Sequence, residues 1–234
     1  MIGIIGAMDV EVESLKAKIK VSTTTKLGSI DFVLGEIEGV MVCVAQCSPG
    51  KVNASICTQL MIDKFSPDMI INIGVGCSLS SEVKIKNVVI ATDVCEYDID
   101  ITALGEPRGY INGVNLIKIP TDKTISDALA QTAIICGEKI HRGTIASGDT
   151  FIASSELKNM LTDEFSAICG EMEGGAIGHT CYVNNVPFAV LRSISDGGDE
   201  ASAIDYPTFK NISAKISTSI IVDFIKTQKT QLEF

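Results

Sequence analysis

The chain has 234 residues, 46% hydrophobic and 21% charged, which is ordinary globular chemistry with enough length for one sizeable core. No apolar run reaches the roughly 18–20 residues that a bilayer span needs. The N-terminal MIGIIGAMDVEVE has no basic stretch and meets acid at Asp9, which argues against a signal peptide and for a cytoplasmic protein. A net charge of −10 with no Lys/Arg cluster argues against nucleic acid, whose phosphates call for a basic face, and leaves a small neutral or cationic ligand open. The eight cysteines are scattered singly, and neither His141 nor His179 falls near a cysteine pair in metal-ligand spacing. Small buried hydrophobes are therefore the expectation for them, with no metal and no cofactor.

In chain order, Ile2–Ile5 reads as a compact strand. Val10–Ile19 reads as a helix with Val10, Leu15 and Ile19 on one face. Phe32–Leu34 and Val40–Ala45 read as a pair of strands joined at Glu38-Gly39. A helix follows over Val52–Phe65, closed by Pro67, then strands at Met69–Ile73 and Val88–Ala91. Helices are predicted at Ile125–Cys136 and Gly174–Tyr182, a strand at Ala189–Ile194, and a long last helix over Tyr206–Ile225. In that helix Phe209, Ile212, Ile216, Ile220 and Phe224 step by three or four. The alternation predicts an α/β fold with a mostly parallel sheet between helices. No linker or repeat divides it, so residues 1–234 are read as one domain.

In such sheets ligands sit beyond the carboxyl ends of the strands. After the first strand come Gly6, Asp9, Glu11 and Glu13. Asp9 and Glu13 suit a helix start and need no further role. Glu11 lies between valines that would draw it out of water and raise its pKa toward general-base range. Gly74-Val75-Gly76-Cys77-Ser78 suggests close approach of backbone to a ligand. Leu79 stands where a dinucleotide fingerprint needs its third glycine, and Gly50-Lys51 lacks the rest of a phosphate loop. Asp196 ends the last strand before Gly197-Gly198, well placed for catalysis. Glu171 and Glu173, two residues apart, stand either for chemistry or for a helix terminus.

Taken together these segments resemble the bacterial 5′-methylthioadenosine/S-adenosylhomocysteine nucleosidases of the purine nucleoside phosphorylase superfamily. The resemblance rests on IGIIGAMDVEVE (2–13), PGKVNAS (49–55), PDMIINIG (67–74) and D-x-D-x-T-A-x-G (98–105), and continues through SGDTFI (147–152), GEMEGGAIGH (170–179) and VPFAVLRSISD (186–196). It implies a three-layer α/β/α fold around a twisted mixed sheet, and hydrolysis of the bond between adenine and a 5-thio-substituted ribose, a step of methionine salvage. It implies that Glu11 activates water and that Asp196 protonates the imidazole nitrogen of adenine. By the same resemblance Glu173 grips the ribose hydroxyls with Met172 beside the sugar, Phe151 stacks on adenine, and the backbone of Ile152 reads its edge. Met8, Pro49 and Tyr206 would line the ribose and alkylthio pocket, and Arg192 and Ser195 would position the acid. Leu104 would cross into a neighbouring subunit of a homodimer. An anionic pocket of Glu11 and Glu173 would stabilise an oxocarbenium-like state. The chain departs from the family's G-S-A-G-G at Val75, where an isopropyl group replaces a hydroxyl.

The rivals are a phosphorylase, a hydrolase of another adenosine derivative such as 5′-deoxyadenosine or aminodeoxyfutalosine, a non-catalytic nucleoside binder, and a dinucleotide-dependent oxidoreductase. A phosphate site needs cations and backbone donors, whereas the first helix here begins with Asp9, Glu11 and Glu13.

Overall fold

The computed structural model describes residues 1–232. The chain runs β1 (Ile2–Gly6), α1 (Asp9–Lys16), β2 (Lys20–Leu27), β3 (Ile30–Ile37), β4 (Val40–Gln46), α2 (Lys51–Phe65), β5 (Met69–Ser78), β6 (Val88–Glu96), a 3-10 turn (Thr102–Leu104), β7 (Lys118–Pro120), α3 (Lys123–Ile135), β8 (Ile140–Ser147), α4 (Ser155–Phe165), β9 (Ala167–Glu171), α5 (Gly174–Val183), β10 (Phe188–Asp196) and α6 (Ser202–Leu232). Two helices are closed at the start by side-chain oxygens: Asp122 accepts from Ile125 N–H at 2.9 Å ahead of α3, and Ser154 from Leu157 N–H at 3.2 Å ahead of α4.

All strands join one sheet in the order β10-β6-β8-β9-β5-β1-β4-β3-β2, with β7 beside β6 and a further β10–β5 pairing. That pairing closes the β10-β6-β8-β9-β5 half on itself, barrel-like, while β1, β4, β3 and β2 extend it as an open wing. The sheet is mixed, where the alternation of elements predicted mostly parallel pairing. β10–β5, β1–β5 and β6–β8 are parallel, but β10–β6 and β5–β9 are antiparallel.

The strand pleat sends alternate residues to opposite layers. Ile4, Val44 and Leu191 pack under α1, α3 and α6. Ile5, Cys43 and Val190 pack under α2 and α5. A smaller third cluster holds α4 through Leu161 and Phe165. β1 and β5 are buried along their whole middle because both faces are covered, which is why they read as largely apolar runs, broken in β5 only by Asn72 before the glycines. β2, by contrast, is an exposed edge strand of Lys, Ser and Thr, and it carried no apolar signal. β8 and α4 were likewise not among the predicted elements.

Seven of the eight cysteines are buried. Burial pushes the thiols of Cys43, Cys57, Cys95 and Cys181 up to about 12, so at neutral pH they are packing groups rather than nucleophiles.

Candidate active site

Glu11 is drawn inward by the geometry of a helix start. It is the third residue of α1, and its Oε2 turns back to accept from the N–H groups of Ala7 (2.7 Å) and Met8 (2.9 Å). That is the glutamate half of a capping box. The buried face of α1 is Glu11, Val12 and Leu15; of the predicted Val10–Leu15–Ile19 stripe, Leu15 and Ile19 are buried, Ile19 just past the helix, and Val10 is exposed. Oε1 accepts from Val75 N–H at 3.1 Å. Burial raises the Glu11 carboxyl above its ordinary value, opposed by the charge of Arg192 and the three N–H groups.

The two glycines of β5 make room for close packing, Gly74 beside this carboxylate and Gly76 beside β9, and Gly76 also lines the cavity. A Cβ on Gly74 would lie 2.7 Å from Glu11 Oε1, and one on Gly76 would lie 2.7 Å from Cys169 Sγ of β9. The Val75 side chain lines the cavity, but its contact with Glu11 is made by backbone and survives the change of side chain.

The two glutamates after β9 separate cleanly. Glu171 accepts from the N–H groups of Glu173 (2.9 Å) and Gly174 (2.7 Å) at the start of α5, from the Ser147 hydroxyl, and from the Arg192 guanidinium. Glu173 receives one backbone donor, Gly50 N–H at 3.0 Å, and Arg192 stands 3.8 Å away. Burial, then the neighbouring Glu171 charge, pushes its carboxyl up to about 8. Arg192 also donates 2.6 Å to Asn72 Oδ1 and 3.0 Å to its own neighbour, Leu191 O. The expectation that Arg192 and Ser195 both orient Asp196 therefore divides. Ser195 Oγ donates to Asp196 Oδ2 at 2.8 Å, while the guanidinium is spent on Glu171, Glu173 and Asn72.

Asp196 ends β10 almost fully buried. Its second oxygen accepts from Gly198 N–H at 3.1 Å. Burial raises its carboxyl, and the hydroxyls of Ser202 and Ser195 work against that rise.

These groups face one cavity, about 550 Å³ when its open mouth is counted. Glu11, Glu173, Ser195 and Asp196 form the polar walls, and Met8, Pro49, Val75 and Met172 the apolar ones. Phe151, Ile152 and Tyr206 complete it. The Phe151 and Tyr206 rings meet edge to face with centroids 5.3 Å apart, and the Tyr206 hydroxyl donates to Met8 Sδ at 3.0 Å. Among the described residues no Lys or Arg lines the cavity. Leu104, expected to reach a neighbouring subunit, does not line this cavity and is 81% exposed on the 3-10 turn. Arg192 lies behind the wall, 1% exposed.

Sequence reasoning missed Asn72 and Ala7. Asn72 had a signal: one amide inside the apolar run MIINI, now fully buried with Nδ2 donating to Ile5 O at 2.9 Å. Ala7 contributes only backbone and had none.

The profile of the phosphorylase superfamily matches residues 1–226. The chain is 36% identical over 225 residues to a 5′-methylthioadenosine/S-adenosylhomocysteine nucleosidase of Haemophilus influenzae (strain PittEE), covering 96% of this chain and 98% of that one. It is similar to the crystal structure of the nucleosidase of that name from Neisseria meningitidis in complex with methylthio-immucillin-A (TM-score 0.93, 30% identity, 97% and 98% of the two chains). It is also similar to futalosine hydrolase of Helicobacter pylori strain 26695 (TM-score 0.92, 32% identity, 97% of each chain).

Proposed function

The chain belongs to the phosphorylase superfamily and, within it, to the 5′-methylthioadenosine/S-adenosylhomocysteine nucleosidases, and from that membership we propose that it hydrolyses the N-glycosidic bond of those two substrates to adenine and a 5-thio-substituted ribose. The observation that carries the reading is the convergence of Glu11, Glu173 and Asp196 on one cavity without a cation in its lining. Adenine leaves poorly until its ring nitrogen is protonated. Asp196, with its carboxyl raised by burial, is the donor we assign to that step. Glu11, held by three N–H groups, is the base that takes a proton from the attacking water. Its negative charge also favours the positively charged oxocarbenium-like state. Glu173, pushed up to about 8, holds its proton at neutral pH. A neutral carboxyl both donates and accepts, which suits a pair of ribose hydroxyls. The anionic character expected of Glu11 and Glu173 together thus falls on Glu11.

Phosphorolysis fits poorly, because the phosphate would meet carboxylates and no free guanidinium or ammonium. Of the three acids at the head of α1, only Glu11 reaches the cavity. A second reading, hydrolysis of another adenosine derivative such as aminodeoxyfutalosine, draws on the likeness to the Helicobacter pylori enzyme. Comparing kcat/KM for that nucleoside and for methylthioadenosine separates the two.

The test is Asp196→Asn, which keeps the shape and removes the proton donor. It is expected to cost about 10²–10⁴ in kcat/KM on adenine nucleosides, and a loss below about tenfold would refute the role. We extend the reading to a cytoplasmic homodimer serving methionine salvage. Leu104, Val52 and Ile56 are 81%, 69% and 50% exposed, apolar surface that a second subunit would cover. Light scattering should give twice the 24.9 kDa chain mass; the chain mass itself, at working concentration, would contradict the dimer.

A further inference from the structure

We propose that Lys51 is a positioning residue, the clasp that holds the ribose side and the adenine side of the pocket at a fixed separation. The inference rests on the nucleosidase reading above and adds to it a residue that lines no part of the cavity.

Lys51 is the first residue of α2. Its ammonium donates to Asp98 Oδ1 at 2.6 Å and Glu96 Oε2 at 2.9 Å. Its backbone N–H donates to Asp149 Oδ1 at 2.8 Å, and Asp149 N–H donates to Asp98 Oδ2 at 3.0 Å. These bonds close a ring: Lys51 to Asp98, Asp98 to Asp149, and Asp149 back to Lys51. The ring joins two loops that share no strand pairing. One is the Pro49–Lys51 turn, whose Gly50 N–H is, among the described residues, the only backbone donor to the Glu173 carboxylate. The other leads from Asp149 directly into Phe151 and Ile152.

The clasp also reaches α5, the helix that Glu173 begins. Glu96 is almost buried and its other oxygen meets His179 Nδ1 of α5 at 2.9 Å. Burial pushes the Glu96 carboxyl up, but the hydrogen bonds from His179 and Lys51 outweigh it, so it stays charged. The turn itself has no slack. Gly50 has a left-handed φ of 101°, and a Cβ there would sit 3.1 Å from Asp149 Oδ1.

A surface lysine that merely pairs with carboxylates contributes little. Lys51 differs because its side chain is 16% exposed, its own backbone lies two residues from Pro49, and its partner Asp149 lies one residue from Thr150, both on the pocket wall. Displacing either wall by about 1 Å is the kind of change that costs up to about 10²-fold in rate. Nucleosides bridge both walls, whereas free adenine needs only the Phe151–Ile152 side. Loosening the clasp should therefore penalise the nucleoside selectively.

The experiment is Lys51→Met, assayed for kcat, KM on methylthioadenosine and inhibition by adenine, with Lys51→Arg as the conservative control. The expected result is a KM raised about tenfold or more, an adenine inhibition constant changed less than about threefold, and recovery by arginine. Asp149→Ala removes an exposed carboxylate of the same ring, and it should give the same split if Lys51→Met does not fold. Unchanged KM in a folded variant, or equal losses for nucleoside and adenine, overturns the clasp while wild-type turnover leaves the functional reading standing. A wild-type chain that releases no adenine overturns both.

Discussion

Glu171 and Glu173 lie two residues apart in identical chemistry, yet the fold gives one an arginine, a hydroxyl and two backbone donors and the other a single backbone donor. Alternation along a chain cannot tell such a pair apart, because the difference comes from Arg192, about twenty residues on, and from Ser147 on another strand. The same holds for Glu11: the flanking valines drew attention to it, but what fixes it is backbone at Ala7, Met8 and Val75. The consequence for pH is specific. A carboxyl raised from its ordinary 4.5 to about 8 binds a proton on folding. Its stabilising contribution is fully present below 4.5 and is lost as pH rises through about 8. Glu173→Gln, neutral throughout, should flatten the fall in urea midpoint between about pH 5 and 9 and be the more stable protein at the alkaline end. Parallel pH profiles for the two proteins would refute the shift.

At the scale of elements, α6 shows where periodicity misled. The apolar steps predicted an inner face through Phe209, Ile212 and Ile216, but Ile212 is 44% exposed. The buried face of that stretch is Ser213, Ala214, Ser217 and Thr218. The apolar stripe takes over only at Ile220, Ile221, Phe224 and Ile225. The reason is local. Here α6 crosses β10, β5 and the start of α1, and Ser213, Ser217 and Thr218 donate to Ile194 O (2.8 Å), Gly74 O (3.0 Å) and Glu11 O (3.3 Å). One helix thereby ties together the segments that carry Asp196, Val75 and Glu11. Ser217→Ala should cost about 1 kcal/mol in chemical denaturation, because it removes a buried hydrogen bond. A loss under about 0.5 kcal/mol would show that the bond is not made. Strands buried on both sides, such as β1 and β5, were legible from sequence alone; polar β2 was not, because an edge strand facing water needs no apolar pattern.

For the whole molecule, the half-closed sheet explains why residues on or just after five strands meet. Pairing β10 to both β5 and β6 curls that half of the sheet, so that groups following β1, β8 and β9 converge with Val75 within β5 and Asp196 at the end of β10. The element alternation pointed to α/β layers, but not to this closure, since antiparallel insertion of β9 and β10 depends on long-range pairing. What the closure produces is an acidic cavity lined, among the described residues, by no Lys or Arg, and on the proposed reading that property favours water over phosphate as the acceptor. The direct measurement is adenine release from methylthioadenosine by the purified protein, with and without added phosphate. Release at the same rate in both is the result this structure predicts; release that requires phosphate would contradict the assignment of Glu11 as the base that activates water.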